Sequence, residues 1–180
     1  MDIIFANSKF TKNNLKEHFS INSDVLYPPV DINEFSYADS DDFYLSTGRL
    51  EKIKNIETII EAFKIMKNEK LIVCSGGSLY EKLKLKYKGC KNITFTGWLT
   101  ENELREYISK CIATIYIPFN EDFGISSVES LASGKPVLGI NEAGQKEILS
   151  HKKNSFLCER STLLEDVIEG VKYLSKERCK

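Results

Sequence analysis

Short apolar runs rich in β-branched and aromatic residues alternate along this chain with longer runs whose apolar residues recur every three to four positions. A chain patterned in this way builds βαβ units and closes them into a parallel sheet. Candidate strands lie at 3–6, 25–27, 43–47, 71–74, 93–96, 113–117, 137–140 and 156–157. Candidate helices lie between them at 8–19, 55–67, 79–87, 100–110 and 125–132, with a short one at 146–149 and a last amphipathic one at 163–174. The second of these places Ile56, Ile59, Ile60, Phe63 and Met66 on one face. Thr100 and Glu103 read as a capping box, Gly134 as the stop of the helix at 125–132, and Pro136 as the lead-in to the next strand. The pattern predicts an α/β fold, a doubly wound parallel sheet of about six strands, whose ligands gather at the carboxyl ends of the strands.

Composition narrows the ligand. With 180 residues and 42% hydrophobic content the chain buries one core. A net charge of -1 and a pI near 6.2 give no general attraction for nucleic acid or an anionic membrane, so affinity for an anion must be local. The lysine-rich helix around 82–88 reads as a solvated face, with membrane contact peripheral if it occurs at all. Cys74, Cys90, Cys111, Cys158 and Cys179 are odd in number and scattered, which suits neither a disulfide framework nor a zinc site and fits a cytoplasmic protein. The sequence shows no apolar run of membrane-spanning length and no signal peptide.

Three strand-to-helix turns carry chemistry. After the strand at 43–47 comes STGRLEKIKN, where Arg49 leaves the strand end and Lys54 stands near the next helix. A planar fork and a compact point charge suit a diphosphate approached from two directions. After the strand at 71–74 comes SGGS, whose glycines permit either a tight turn or close approach of a ligand. The third turn is NEDFGISSVESLASGKPV, with Glu121 before a helix start and Glu129 a turn inside it. Gly124 opens the backbone there, and the amides of Gly124, Ile125 and Ser126 would be first-turn donors for phosphate. Glu129 would accept from a vicinal diol, as in a ribose, and Glu121 would meet hydroxyls on the far side of the phosphates. Together these residues suggest a nucleoside diphosphate sugar laid across the strand ends.

GRLEKIKNIETIIEAF, ITFTGWLTENEL, PFNEDFGISSVESLASGKPV and EAGQKEIL, in that order, resemble the carboxyl-terminal, donor-binding domain of retaining glycosyltransferases of family four, which have the GT-B fold. The resemblance implies a Rossmann-like half of that fold, with residues 23–180 as the nucleotide-sugar domain and residues 1–22 as the end of an amino-terminal domain or an interdomain segment. It implies that Glu121 contacts the donor sugar, that Arg49, Lys54, Gly124 and Ile125 hold the diphosphate, that Glu129 binds the ribose, and that Gly97, Trp98 and Leu99 lie beside the base. It further implies a metal-independent, cofactor-free transfer with retention. The third motif is especially similar to mannosyltransferases of surface-polysaccharide assembly, which points to GDP-mannose. The acceptor-binding amino-terminal domain of the family has no counterpart in these 180 residues, so this half alone would bind donor and transfer sugar poorly. Half of a nucleotide-sugar epimerase, or a non-catalytic binding subunit, would carry a similar donor edge.

Overall fold

The structure, a computed structural model, describes residues 3–177; Cys179 lies outside them. Among the described residues there are eight strands and six α-helices: β1 (Phe5–Ala6), α1 (Lys9–Phe19), β2 (Asp24–Val25), β3 (Tyr44–Ser46), α2 (Ile56–Ile65), β4 (Leu71–Cys74), α3 (Tyr80–Lys86), β5 (Ile93–Gly97), α4 (Glu101–Lys110), β6 (Thr114–Ile115), α5 (Ile125–Ala132), β7 (Val137–Ile140), β8 (Ser155–Cys158) and α6 (Leu163–Glu177). Six strands form one parallel sheet in the order β5-β4-β3-β6-β7-β8. The chain builds outward from β3 to β5, then returns to place β6 against the other side of β3. This is the Rossmann order, and the carboxyl ends of β3 and β6 form its switch point, where a crevice opens between loops that leave toward opposite faces.

Side-chain alternation divides the core in two. Tyr44, Val73, Ile115 and Leu138 point to the face covered by α2, α3 and α6, where they join Ile56, Ile59, Ile60 and Phe63 in the larger cluster. The Tyr44 hydroxyl donates to the Val171 carbonyl at 3.0 Å, so a buried polar atom in this cluster is satisfied and ties β3 to α6. On the other face Leu45 and Cys74 pack with Ile108 of α4 and with Cys111 just past its end in a smaller cluster. Burial pushes the Cys74 and Cys111 thiols up to about 12 each, which leaves them inert packing groups. Met66 packs only partly on the larger cluster, because α2 ends at Ile65.

β1 and β2 form a separate parallel pair that straddles the expected boundary at residue 22. Ser8 caps α1, accepting from Thr11 N, and no residue of that helix is buried. Its first turn is tied to the main body by Glu147, whose carboxylate accepts from Lys9 N at 3.0 Å, Phe10 N at 2.9 Å and the Tyr27 hydroxyl at 2.8 Å. An acid at a helix start meets both the unpaired amides and the positive end of the dipole.

The expectation of a short helix at 146–149 is corrected. The segment is a 3₁₀ turn, Ala143–Glu147, because distant partners shape it. Gly144 N donates to the Glu121 carbonyl at 2.9 Å, and the buried Gln145 side chain accepts from Ile140 N and donates to the Tyr116 carbonyl. Strands β1, β3 and β6 are shorter than the apolar runs that contain them, and β2 is shifted to Asp24–Val25 by its pairing with β1, so it overlaps the expected 25–27 only at Val25; β4, α5 and β7 occupy the ranges their patterns predict. Among the described residues no helix is long and apolar enough to cross a membrane.

Candidate functional site

Three side chains meet at the switch point. The Lys54 ammonium lies 2.6 Å from Glu121 Oε2 and donates to the Tyr116 hydroxyl at 3.0 Å. That hydroxyl in turn donates to the same Glu121 oxygen at 2.8 Å. Lys54 and Glu121 keep only 17% and 19% of their side-chain surface exposed, so the pair is shielded well beyond an ordinary surface ion pair. Burial, then the charge of Glu121 and its hydrogen bond, pushes the Tyr116 hydroxyl far above its ordinary range, and Arg49 opposes that shift. Tyr116 therefore stays a neutral donor. All these bonds fall on Oε2, and Glu121 Oε1 accepts from no described residue.

Each member is held from below. The 3₁₀ turn Lys52–Lys54 is pinned to the end of β6, with Phe119 N donating to the Ile53 carbonyl at 3.0 Å and the Asn55 side chain donating to the Ile117 carbonyl at 2.8 Å. The Glu121 loop is pinned from the opposite side by Glu142. Its carboxylate accepts from Asn120 N at 2.8 Å and takes a two-pronged grip from Arg160 at 2.8 and 2.6 Å. The Arg160 guanidinium also stacks 4.0 Å from the centre of the Phe119 ring. Gly124 enters α5 at φ 100, which a side chain would resist, and an added Cβ would stand 3.3 Å from Gln145 and 3.7 Å from Glu121.

Arg49 is exposed, and among the described residues its side chain makes no hydrogen bond or ion pair; its charge is felt by Tyr116 and Glu51. The first turn of α5 begins at Ile125, after Gly124, whose position beside Glu121 brings the amide end of the helix to the Glu121 loop. Ser127 Oγ, in the first turn of α5, and Thr47 Oγ1, just after β3, are buried and reach no partner among the described residues. Glu129 sits half-buried in the second turn of α5. Burial raises its carboxyl above the ordinary 4.5, with Arg105 opposing the shift and Glu101 adding to it, so this acid faces the start of α4. Arg105 itself is committed to Glu34.

The SGGS turn is explained by packing. Gly76 lies under the Trp98 indole, which leaves 2.4 Å for a Cβ, and Gly77, at φ 149, backs onto the Leu50 main chain at 2.7 Å. Ser78 N and Oγ donate to the Glu51 carboxylate at 2.9 and 2.7 Å, which lashes this turn to the loop that carries Arg49. Trp98 remains 70% exposed next to Gly97 at φ 76, and Leu99 packs against the α4 cluster. Lys135, in the Gly-Lys-Pro that ends the third motif, is buried, donates to the Ala38 carbonyl at 2.6 Å and covers Tyr37; it clamps the incoming segment and does not reach the crevice.

Of the residues singled out in the sequence, the structure brings Lys54 and Glu121 into contact, sets Gly124 beside Glu121 and puts Arg49 within electrostatic reach of Tyr116, the tyrosine that joins Lys54 to Glu121 and that sequence reasoning missed. The available signal was a phenol at the end of an apolar strand that lacks any other polar group to satisfy it.

The description "Glycosyl transferases group 1" fits residues 31–180. The alpha-1,3/1,6-mannosyltransferase ALG2 of Dictyostelium discoideum is 27% identical over 87% of this chain and 49% of its own length. The mouse GDP-Man:Man(3)GlcNAc(2)-PP-Dol alpha-1,2-mannosyltransferase is 26% identical over 98% of this chain and 42% of its own length. Among solved structures, Anabaena Alr3699/HepE in complex with UDP-glucose superposes with a TM-score of 0.80 at 18% identity, over 98% of this chain and 56% of that one. This chain thus spans about half the length of the curated relatives it matches. It belongs to the group 1 glycosyl transferases.

Proposed function

From that membership we propose that the chain is the donor-binding half of a retaining glycosyltransferase and that its switch-point crevice holds a nucleoside diphosphate sugar, GDP-mannose in preference to others. One observation carries the reading: a shielded Lys54–Tyr116–Glu121 cluster stands beside an uncommitted Arg49 at the carboxyl ends of β3 and β6. Arg49, Lys54 and the amides of Gly124 and Ile125 take the diphosphate. Glu121 uses its open Oε1 on sugar hydroxyls, Glu129 accepts from the ribose, and the base lies by Gly97, Trp98 and Leu99. The mannosyl assignment draws on the names of the two curated relatives, and the general donor class on the UDP-glucose of the Anabaena protein.

As the glycosidic bond breaks, negative charge grows on the β-phosphate. Donors already aimed at that position lower the barrier more than they stabilise the ground state. The chain's own residues supply them: Lys54 is oriented by Tyr116 and Glu121 before donor arrives, and Arg49 is free to close on it. Glu121 acts as a positioner of the sugar. The acceptor is held by a separate amino-terminal domain, and residues 1–22 belong to the junction with it. Ile3, Phe5 and Leu26, which are 73%, 56% and 61% exposed around β1 and β2, support a cover there.

Saturation-transfer NMR of the chain with GDP-mannose, and with UDP-glucose in parallel, tests the arrangement. Glu121→Gln should dim the sugar protons selectively and Glu129→Gln the ribose protons. Equal dimming of all protons by either variant, or no saturation of any nucleotide sugar by the native chain, would refute it.

A further inference from the structure

The segment 64–91 holds eight lysines, Lys64, Lys67, Lys70, Lys82, Lys84, Lys86, Lys88 and Lys91, against two acids, Glu69 and Glu81, for a net +6. The whole chain is -1, so all the rest sums to -7. The fold gathers this excess. In a parallel sheet each crossover helix runs back against its strands, so the carboxyl ends of α2 and α3 come together at the amino ends of β3, β4 and β5, opposite the switch point. A cleft of about 860 Å³ opens at that edge, with Lys64, Lys67, Lys70 and Lys91 on its walls against the acids Asp41 and Asp42, and Phe43 and Ile72 among its apolar contacts.

Two of the lysines are consumed by the seam between α2 and α3. Lys86 pairs with Glu57 at 2.7 Å and Glu61 at 3.3 Å, and Lys64 pairs with Glu61 at 3.2 Å. Lys67, Lys70, Lys82, Lys84, Lys88 and Lys91 make no salt bridge among the described residues, and all six are exposed. Exposed apolar side chains stand among them, Leu85 at 75% and Ile65 at 60%. At 100° per residue, Leu85 falls in the middle of the outward arc of α3, with Lys82 and Lys86 to one side and Lys84, Lys88 and the acid Glu81 to the other; Leu83 and Tyr87 face inward. A leucine flanked on both sides by lysines has the layout of a helix that lies on a bilayer surface, where aliphatic stems follow the apolar residue inward and ammonium groups stay with the headgroups.

We infer that this lysine-bearing edge, from the end of α2 across α3 to the turn before β5, docks on an anionic membrane surface. Lipid phosphates pair with these six lysines, which are outside any salt bridge and of which Lys84 leans on the Tyr80 ring, and Leu85 and Ile65 enter the interface. The chemistry favours lipid over nucleic acid. Residues 64–91 include no arginine for bidentate phosphate contacts, and their aromatic rings are packed inside, Tyr87 buried and Tyr80 edge-on to Phe95. The inference does not depend on the reading of the crevice, and docking here leaves the carboxyl edge open to solution.

Co-sedimentation of the chain with vesicles of phosphatidylcholine alone, and of phosphatidylcholine mixed with phosphatidylglycerol, tests it. Binding should occur only to the mixed vesicles and weaken as salt is raised. Lys84→Glu/Lys88→Glu should reduce partition at least tenfold, given about fivefold per lysine held near an anionic surface. Leu85→Ser, at an exposed position that does not bear on folding, should weaken it further when salt has screened the charges. Equal binding to neutral vesicles, binding that survives both variants, no vesicle binding, or binding to a single-stranded RNA oligonucleotide without vesicle binding would each overturn the inference.

Discussion

At the carboxyl edge of β3 and β6, three polar side chains lie within 3.0 Å of one another, shielded, and braced by Asn55, Glu142 and Gln145. At the amino edge of β3, β4 and β5, a larger number of charges stands in water with few partners. Charge density alone would have picked the second edge as the more active. The contrast lies in commitment: a charge raised by several neighbours to one geometry can act on one bond, whereas a field of mobile lysines can only attract a surface. The loops that carry Arg49 and Glu121 are therefore expected to tolerate little, and the lysine edge to tolerate much.

The sharpest way to break that contrast is Gly144→Ala. An added Cβ would stand 2.0 Å from the Asp122 carbonyl oxygen, which is main chain and cannot swing away. We expect a loss of about 3 kcal/mol in chemical denaturation, with the Glu121 loop displaced. A loss under about 0.5 kcal/mol would show that the brace is slack. Next, Lys54→Ala strands a shielded Glu121 and should cost about 2 kcal/mol, or about 4–8 °C in thermal melting, while Lys84→Ala on the other edge leaves the melt unchanged. Tyr116→Phe removes one hydroxyl from the cluster and should cost about 1 kcal/mol, with weaker nucleotide binding as well. An unchanged melt and unchanged binding would reduce Tyr116 to core packing.

The smallest effect concerns pH. Burial raises the Glu129 carboxyl above 4.5, so on acidification it takes up its proton earlier than an ordinary glutamate and ceases to accept from a diol. Nucleoside affinity should therefore begin to fall while the pH is still above the ordinary carboxylate range. In Glu129→Gln, titrated by fluorescence across the same pH values, that early fall should vanish.

Much of this was legible in the amino-acid order. The 2.0 and 3.6 periodicities gave the parallel sheet, the capping box at Thr100 is present in full, and α5 runs over the range its flanking Gly124 and Gly134 mark out. Arg49, Lys54 and Glu121 could be read because each lies in a turn between a strand's carboxyl end and the next helix, where a parallel sheet collects ligands. Tyr116 escaped because an aromatic residue in an apolar strand reads as core until its hydroxyl is seen to meet Lys54. Glu142, Gln145 and Arg160 escaped because the partners that tie them to the site, Asn120, Tyr116 and Glu142 respectively, are 18 to 29 residues away, and no local period encodes a contact at that distance. The SGGS glycines were ambiguous for a related reason: the Trp98 ring and the Leu50 main chain that require them arrive from other strands. Leu85 was hidden within a lysine run whose sequence alone does not say which side faces water.

Calorimetric titration of GDP into the native chain and into Arg49→Ala, without added metal and with guanosine as the control ligand, tests the central claim most directly. Arg49 is exposed and its side chain makes no hydrogen bond or ion pair among the described residues, so its truncation should leave the protein intact. If the crevice holds a diphosphate, GDP binds saturably, the variant loses at least about tenfold in affinity, the size of one charged hydrogen bond, and any affinity for guanosine is unaltered. Equal GDP affinity in the two proteins would contradict the account and leave the cluster at the switch point as a structural brace.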